Sequence, residues 1–224
     1  MRAFIKRLQR NILDMTPVRR FIVPRYQYSF SPVQLSFING KFRESHAIDG
    51  ISLEIGCFTG ATTVFLNANY RYGLPEREYI AIDTFNGFTA SSLEYERMSR
   101  GKDLKDIDDK TLFSMNSQER FNYTMRLNGF DNVTSKQMDV EKISNWAEPK
   151  PIAFCLIDVD LYLPTQRALD FVIPRLAPGG IVLVDDCIPN TRFDGSLQAL
   201  QEAASQWQRT YTISEGKIGT LISN

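Results

Sequence analysis

Two apolar segments of this sequence each end in aspartates. Ile152–Ile157 is followed directly by Asp158, and Ile181–Val184 is followed directly by the pair Asp185 and Asp186. Carboxylates held close together repel one another unless one is protonated or a cation is bound. Three hard oxygen ligands with open positions suit Mg²⁺, with water or substrate completing the shell. Asp158, Asp185 and Asp186 are therefore predicted to bind a metal ion.

The elements that must position these carboxylates follow from the alternation of apolar runs and amphipathic segments. Strands are predicted at 50–55, 78–83, 133–138, 152–157, 181–184, 210–214 and 218–222. Helices are predicted at 32–45, 60–72, 115–129, 164–176 and 196–207, with short helices at most in 90–113. Strands separated by helices predict a parallel, doubly wound sheet. Ligands bind such sheets at the carboxyl ends of the strands, where the aspartates lie.

The acidic residues of these loops also have structural interpretations. Asp160 is more simply explained as a cap of the turn at Leu161–Thr165, with a ligand role as the alternative. Asp186 can also be a cap. The spacing of Asp158 and Asp185 corresponds to one βαβ unit, so their strands are expected to be neighbours, roughly 5 Å apart.

A glycine-containing loop follows the first predicted strand. In Leu53–Gly60 the small residues allow a ligand to approach the backbone, and free N–H groups at the start of the next helix favour polar or anionic groups. The second strand ends at Asp83, where an acid can bind both hydroxyls of a ribose or cap its own turn. Together they favour a cofactor that contains adenosine. Asp139, after the third strand, can accept from the adenine amine or cap the following helix.

Composition narrows the class of protein. The chain has 224 residues, three cysteines and a net charge of zero. A neutral chain is not expected to bind nucleic acid, and an odd number of distant cysteines favours a reducing compartment, here the cytoplasm. The pattern of residues 2–14 predicts a basic amphipathic helix. This helix is expected to pack on its own domain or on a second subunit, and the less favoured alternative is that it lies on a membrane.

In these motifs the chain resembles class I S-adenosylmethionine-dependent methyltransferases, and within them the macrocin O-methyltransferase family. The similarity rests on four segments: Leu53–Gly60, Ile82–Phe88, Ile157–Thr165 and Pro174–Asp186. It implies an α/β fold with a doubly wound, mostly parallel, Rossmann-like seven-stranded sheet whose last strand is antiparallel. It also implies an N-terminal helical lid over the substrate (1–45), a methyltransferase domain (46–224) and contacts between identical subunits in a homo-oligomer.

The resemblance also implies an activity and a set of site residues. Family members use Mg²⁺ and S-adenosylmethionine to methylate a hydroxyl of a small molecule, typically a sugar or other diol-bearing natural product. Asp158, Asp185 and Asp186 are the expected metal ligands, and Asp158 is also the expected catalytic base. The expected cofactor-binding residues are Glu54, Gly56, Cys57, Phe58, Thr59, Gly60, Asp83, Thr84, Phe85, Asp139 and Asp158.

Two other classes of function are compatible with the sequence. A methyltransferase fold can serve as a non-catalytic module that binds a ligand or partner through its basic N-terminal arm, although a scaffold has no use for uncompensated carboxylates. A nucleotide-linked oxidoreductase on a similar sheet is disfavoured by the loop spacing and by the acids after the fifth strand.

Overall fold

The computed structural model describes residues 26–104, 113, 116–147 and 150–222. The amphipathic helix predicted at 2–14 lies outside the described residues. The α-helices are α1 (Pro32–Glu44), α2 (Ala61–Asn67), α3 (Ala90–Met98), α4 (Gln118–Leu127), α5 (Tyr162–Val172) and α6 (Gly195–Gln206). The strands are β1 (Ile51–Ile55), β2 (Tyr79–Asp83), β3 (Val133–Gln137), β4 (Ile152–Ile157), β5 (Leu176–Val184), β6 (Tyr211–Ser214) and β7 (Ile218–Ile222). Short 3₁₀ helices cover Ser45–Ala47, Ala68–Tyr72, Val140–Asn145 and Ile173–Arg175.

The strands form one seven-stranded sheet in the order β3-β2-β1-β4-β5-β7-β6. Neighbours from β3 to β5 are parallel, and β7 runs antiparallel to β5 and to β6. This confirms the predicted Rossmann-like sheet with an antiparallel last strand. The strand order reverses between β1 and β4. In such sheets the ligand-binding crevice lies at this switch point, at the carboxyl ends of the strands.

Helices cover both faces of the sheet. Because successive strand residues point to opposite faces, Cys155 and Ile157 of β4 belong to the core under α5 and α6. Phe154 and Leu156 belong to the core under α1, α2 and α4. All six residues of β4 are buried, as expected for a parallel strand covered on both sides.

Helix α1 begins as its sequence predicts. The Ser31 hydroxyl accepts from the N–H of Gln34, and the Gln34 side chain accepts from the N–H of Ser31, which forms a capping box. Leu35, Ile38 and Phe42 of α1 are buried in the core. This part of the expected N-terminal lid therefore packs on the sheet.

The largest difference from the predicted elements lies between β4 and β5. The helix predicted at 164–176 begins earlier, at Tyr162, and ends at Val172, and residues 173–175 form a 3₁₀ helix. Strand β5 begins at Leu176, which pairs with Ile152, so the Pro-Gly-Gly segment expected to end the helix is the irregular first half of a strand. Helix α4 starts at Gln118 rather than near residue 115 because the Ser117 hydroxyl caps it.

Among the described residues, none of the helices is both long enough and apolar enough to cross a membrane.

Candidate active site

The backbone ladder of the sheet continues for one residue past the ends of β1, β4 and β5. The N–H of Asp158 donates to the carbonyl of Ile55 at 2.8 Å, and the N–H of Asp185 donates to the carbonyl of Ile157 at 2.9 Å. Asp158 and Asp185 thus lie on adjacent strands at the same edge, as the sequence predicts.

A cavity of about 220 Å³ opens at this edge. Of the residues expected in the site, those that line it are Gly56, Phe58, Asp83, Thr84, Asp139, Asp158, Asp185 and Asp186. One cavity therefore joins the glycine loop and Asp83 to the carboxylate cluster. Two features of the cavity were not predicted from the sequence. One is Lys217, and the other is the wall formed by Phe88 and Phe113, whose rings are 5.1 Å apart.

Burial and the charges of neighbouring carboxylates raise the pKa of Asp158, Asp160 and Asp185 in the cavity. Burial, followed by the charges of Asp185, Asp160 and Asp186, raises the pKa of Asp158 well above its ordinary value. Burial and the charge of Asp186 raise the pKa of Asp185 to about 6. Asp185 is 4% exposed, and its Oδ1 has no hydrogen-bond partner among the described residues. The cluster therefore favours a bound proton or cation over four free charges.

Asp160 does not cap the turn that follows it, so that prediction was wrong. The residue before α5 is Leu161, and no side chain of its own turn caps this helix. Asp160 adopts a left-handed backbone conformation, with φ at 62°, which aspartate tolerates better than most residues. Its carboxyl group lines the cavity, and burial and the nearby Asp186 raise its pKa well above the ordinary value.

Lys217 supplies a cation of the chain itself. Its Nζ donates to Asp185 Oδ2 at 2.6 Å and to Asp186 Oδ1 at 3.0 Å. Asp186 therefore pairs with a lysine in this structure, while its alternative role as a helix cap finds no support because α6 begins only at Gly195.

Asp83 connects the loops that follow β1 and β2. Its Oδ2 accepts from the N–H of Phe58 at 2.8 Å, and its Oδ1 accepts from the N–H of Phe85 at 2.7 Å. Asp83 thus caps its own turn, as one interpretation predicted, and it also lines the cavity. Its contact with a ribose stays a prediction. Each of its oxygens keeps a second lone pair for a ligand.

Asp139 likewise caps a helix and lines the cavity. Its Oδ1 accepts from the N–H of Glu141 at 3.0 Å and so caps the 3₁₀ helix Val140–Asn145. The same side chain lines the cavity beside Val140.

The other expected cofactor residues, Glu54, Cys57, Thr59, Gly60 and Phe85, are not among those that line the cavity. Cys57 and Phe85 are buried, and burial raises the pKa of the Cys57 thiol well above its ordinary value. Glu54 is 2% exposed, and its Oε2 accepts from the hydroxyls of Thr63 at 2.6 Å and Tyr79 at 2.7 Å. Glu54 therefore ties α2 and β2 to β1 from behind the loop.

We expect Glu54 to make stability depend on pH. Burial raises its pKa from 4.5 to about 7, so the folded chain binds this proton more tightly than the unfolded chain. The resulting stability is fully present below about pH 4.5 and is lost as the pH rises through about 7. Between about pH 5 and 8 the free energy of unfolding should fall by about 2–3 kcal/mol more for the unsubstituted protein than for Glu54→Gln. Urea titrations at both pH values measure this, with the exposed Glu76→Gln as control; equal slopes would contradict it.

A partly buried ion-pair network supports the acid-bearing loop from outside the cavity. Glu96 of α3 is 1% exposed, and its Oε1 accepts from the N–H of Tyr162 at 2.7 Å, so it caps α5 in place of a local residue. Arg100 bridges Glu96 at 2.5 Å and Asp194 at 2.8 Å, and Lys102 also contacts Asp194. The loop from Asp158 to the start of α5 is thereby held against α3 and the start of α6. No local sequence pattern indicates this network, because its members are distant along the chain.

Comparisons with known proteins agree with this architecture. The family described as "Methyltransferase domain" matches residues 53–187, more than half of the chain. A curated relative, 8-demethyl-8-(2,3-dimethoxy-alpha-L-rhamnosyl)-tetracenomycin-C 4'-O-methyltransferase of Streptomyces olivaceus, is 25% identical over 176 residues, 75% of this chain. The match spans 61% of that relative's length.

Two solved structures share the fold. The O-methyltransferase NovP superposes with a TM-score of 0.66 at 16% identity, covering 85% of this chain and 79% of NovP. The O-methyltransferase TomG from Streptomyces achromogenes, in complex with S-adenosylmethionine, superposes with a TM-score of 0.54 at 16% identity, covering 92% and 86%. From the fold, the cavity at its switch point and the match over residues 53–187, the chain belongs to the methyltransferase domain family.

Proposed function

We propose that this protein is an S-adenosylmethionine-dependent O-methyltransferase that acts on a hydroxyl of a sugar or another diol-bearing natural product. One observation carries the proposal: a single cavity runs from Asp83 and the glycine loop to the carboxylates of Asp158 and Asp185. A methyl donor and its acceptor must lie in line with each other, and a cavity with a cofactor end and an acidic end provides for this. The Streptomyces olivaceus relative is an O-methyltransferase whose named substrate carries a rhamnosyl group, which supports a sugar acceptor.

The cofactor end is formed by the loops after β1, β2 and β3. Asp83 would accept from the ribose hydroxyls, Thr84 and Asp139 would face the adenosine, and Gly56 and Phe58 would contact the cofactor through their backbone. The remaining predicted cofactor residues, Glu54, Cys57, Thr59, Gly60 and Phe85, would shape these loops from behind the cavity wall.

The residues at the acidic end fit a hard divalent cation. The donors are carboxylate oxygens, and Asp185 Oδ1 is buried without a hydrogen-bond partner among the described residues. The described residues contain no preassembled group of three metal-ligating side chains, so the carboxylates would have to adjust on binding. Asp158, Asp185 and Asp186 would hold Mg²⁺, which would lower the pKa of the acceptor hydroxyl.

Asp158 would accept the proton of the acceptor hydroxyl. Burial and the neighbouring carboxylates raise its pKa above the ordinary value, which makes its carboxylate a stronger proton acceptor than that of a free aspartate. Asp160 lies in the same cavity with a similarly raised pKa and is the alternative base.

The N-terminal segment 1–45 is proposed to act as the lid on the acceptor end. Ser29, in the segment that precedes α1, lines the cavity, which supports this placement. A cytoplasmic homo-oligomer is the form in which we expect the enzyme to work.

Calorimetric titration with S-adenosylhomocysteine, in Mg²⁺ and in EDTA, tests the proposal first. Micromolar binding in both conditions would support the methyltransferase function. Transfer of labelled methyl groups to a set of rhamnosides and catechols would then identify the acceptor class. Binding of S-adenosylhomocysteine without transfer to any acceptor would favour the non-catalytic binding module, and its failure to bind would overturn the proposal.

We expect the main effect of Asp83→Ala to be weaker binding of the cofactor. The substitution removes a partly buried carboxylate that would bond to the ribose and that holds the N–H groups of Phe58 and Phe85. The affinity for S-adenosylhomocysteine should fall by about 10- to 100-fold, as measured by calorimetry. The exposed Asp131→Ala is the control, and an unchanged affinity in Asp83→Ala would remove Asp83 from the ribose site.

A further inference from the structure

Lys217 is fixed beside the acid pair by its backbone as well as by its side chain. It lies in the turn between β6 and β7, where its N–H donates to the carbonyl of Ser214 and its carbonyl accepts from the N–H of Cys187 at 2.8 Å. Cys187 directly follows Asp186. The ammonium group also lies 5.1 Å from the centre of the Phe30 ring. The lysine is therefore built into the site and is not a surface side chain that happens to reach it.

The charges of the cavity make this position significant. Among the described residues that line the cavity, Lys217 is the one cation, against the carboxylates of Asp83, Asp139, Asp158, Asp160, Asp185 and Asp186. Its Nζ contacts Asp185 and Asp186 at 2.6 and 3.0 Å. Lys217 thereby holds these two acids together and partly cancels their repulsion.

The lysine also leaves one direction of the cluster open. It bonds to Oδ2 of Asp185, while Oδ1 of the same carboxylate, in a side chain that is 4% exposed, has no partner among the described residues. A divalent cation bound there would share Asp185 and Asp186 with a fixed positive charge a few ångströms away. Like charges at such a separation oppose each other strongly even under partial solvent screening.

We propose that Lys217 is a positioning residue that keeps Asp185 and Asp186 assembled in the absence of metal and lowers the affinity of the cluster for a divalent cation. This inference rests on the proposed function, since it concerns the metal proposed for the same carboxylates. It makes the metal an exchangeable ligand of the enzyme and not a part of its folded framework.

Calorimetric titration of the purified protein with MgCl₂ tests the inference. Lys217→Met keeps the length of the side chain and removes its charge, so it should bind Mg²⁺ about tenfold or more tightly than the unsubstituted protein. Lys217→Arg keeps the charge and should bind Mg²⁺ weakly. The control is Lys41→Met, which removes a lysine of α1 that pairs with Glu44 outside the cavity. Equal or weaker Mg²⁺ binding by Lys217→Met would overturn the proposal, including the case in which neither protein binds Mg²⁺.

Thermal unfolding provides a second readout. In EDTA, Lys217→Met should unfold at a lower temperature than the unsubstituted protein, and saturating Mg²⁺ should remove most of this difference. A variant that folds only with Mg²⁺ supports the proposal, and one that folds in neither condition is replaced by Lys217→Gln in both measurements. Titration of each variant with S-adenosylhomocysteine separates the test of the proposed activity from the test of the role of Lys217. If the unsubstituted protein does not bind S-adenosylhomocysteine, the result counts against the methyltransferase function. If it does bind, and Lys217→Met has the same Mg²⁺ affinity as the unsubstituted protein, the result counts against the role of Lys217 alone.

Discussion

Asp158→Asn should lower kcat by about 100-fold or more while S-adenosylhomocysteine still binds. The substitution keeps the size of the side chain and its N–H bond to Ile55, so the floor of the cavity should persist. It removes one predicted metal ligand and the predicted proton acceptor, and general base catalysis by a placed side chain is worth about 10²–10⁴ in rate. Methyl transfer from labelled S-adenosylmethionine to the true acceptor measures kcat, and calorimetry measures cofactor affinity.

Asp160→Asn is the matched comparison for this experiment. Asp160 lies in the same loop and the same cavity as Asp158, but it is not among the predicted metal ligands. If Asp158 is the base, Asp160→Asn should be the milder variant; a larger loss in Asp160→Asn, with Mg²⁺ binding retained, would assign the proton transfer to Asp160. A near-normal rate in Asp158→Asn would remove Asp158 from both of its proposed roles.

Gly56→Ala should remove cofactor binding and destabilise the fold by more than about 4 kcal/mol. A Cβ at this position would lie 1.8 Å from the carbonyl oxygen and 2.6 Å from the carbonyl carbon of Asp158. Both are backbone atoms at the end of β4, so the clash can be relieved only by moving the strand end that carries the acids or the loop that faces the cofactor. Urea titration gives the free energy of unfolding, and calorimetry with S-adenosylhomocysteine gives the binding.

Gly73→Ala separates the clash from backbone strain. Gly73 has the same φ of 94° as Gly56, but an added Cβ would meet no atom within 4 Å. This control should lose only the cost of a left-handed alanine, about 1–2 kcal/mol, and should bind the cofactor normally. If the two variants lose similar stability, the close contact between the loop after β1 and the end of β4 is not what requires glycine at position 56.

Local patterns in the sequence were sufficient for most of the framework. Strand β4 was predicted with its observed bounds because a strand buried on both faces is a continuous apolar run. The start of α1 was predicted because the capping box is formed by neighbouring residues. The meeting of Asp158 and Asp185 also followed from sequence, since both directly follow parallel strands separated by one helix.

Boundaries were less predictable where pairing in the sheet competes with local preference. Leu176 to Gly180 contains the residues that commonly end a helix, yet in the structure it is the first half of β5 because Leu176 pairs with Ile152 across the sheet. Such pairing depends on a residue far away in the chain, which a local pattern does not contain.

The sequence by itself determined that carboxylates gather at one edge of a parallel sheet, beside a glycine loop and Asp83. Only the tertiary structure decided what balances and supports them. Lys217 reaches Asp185 and Asp186 from the turn before β7, and Glu96 caps the helix after Asp160 from α3. The physical reason is that a charge can be satisfied by any partner that the fold brings within hydrogen-bond distance. A strand or a cap, in contrast, is specified by residues that are neighbours in the chain.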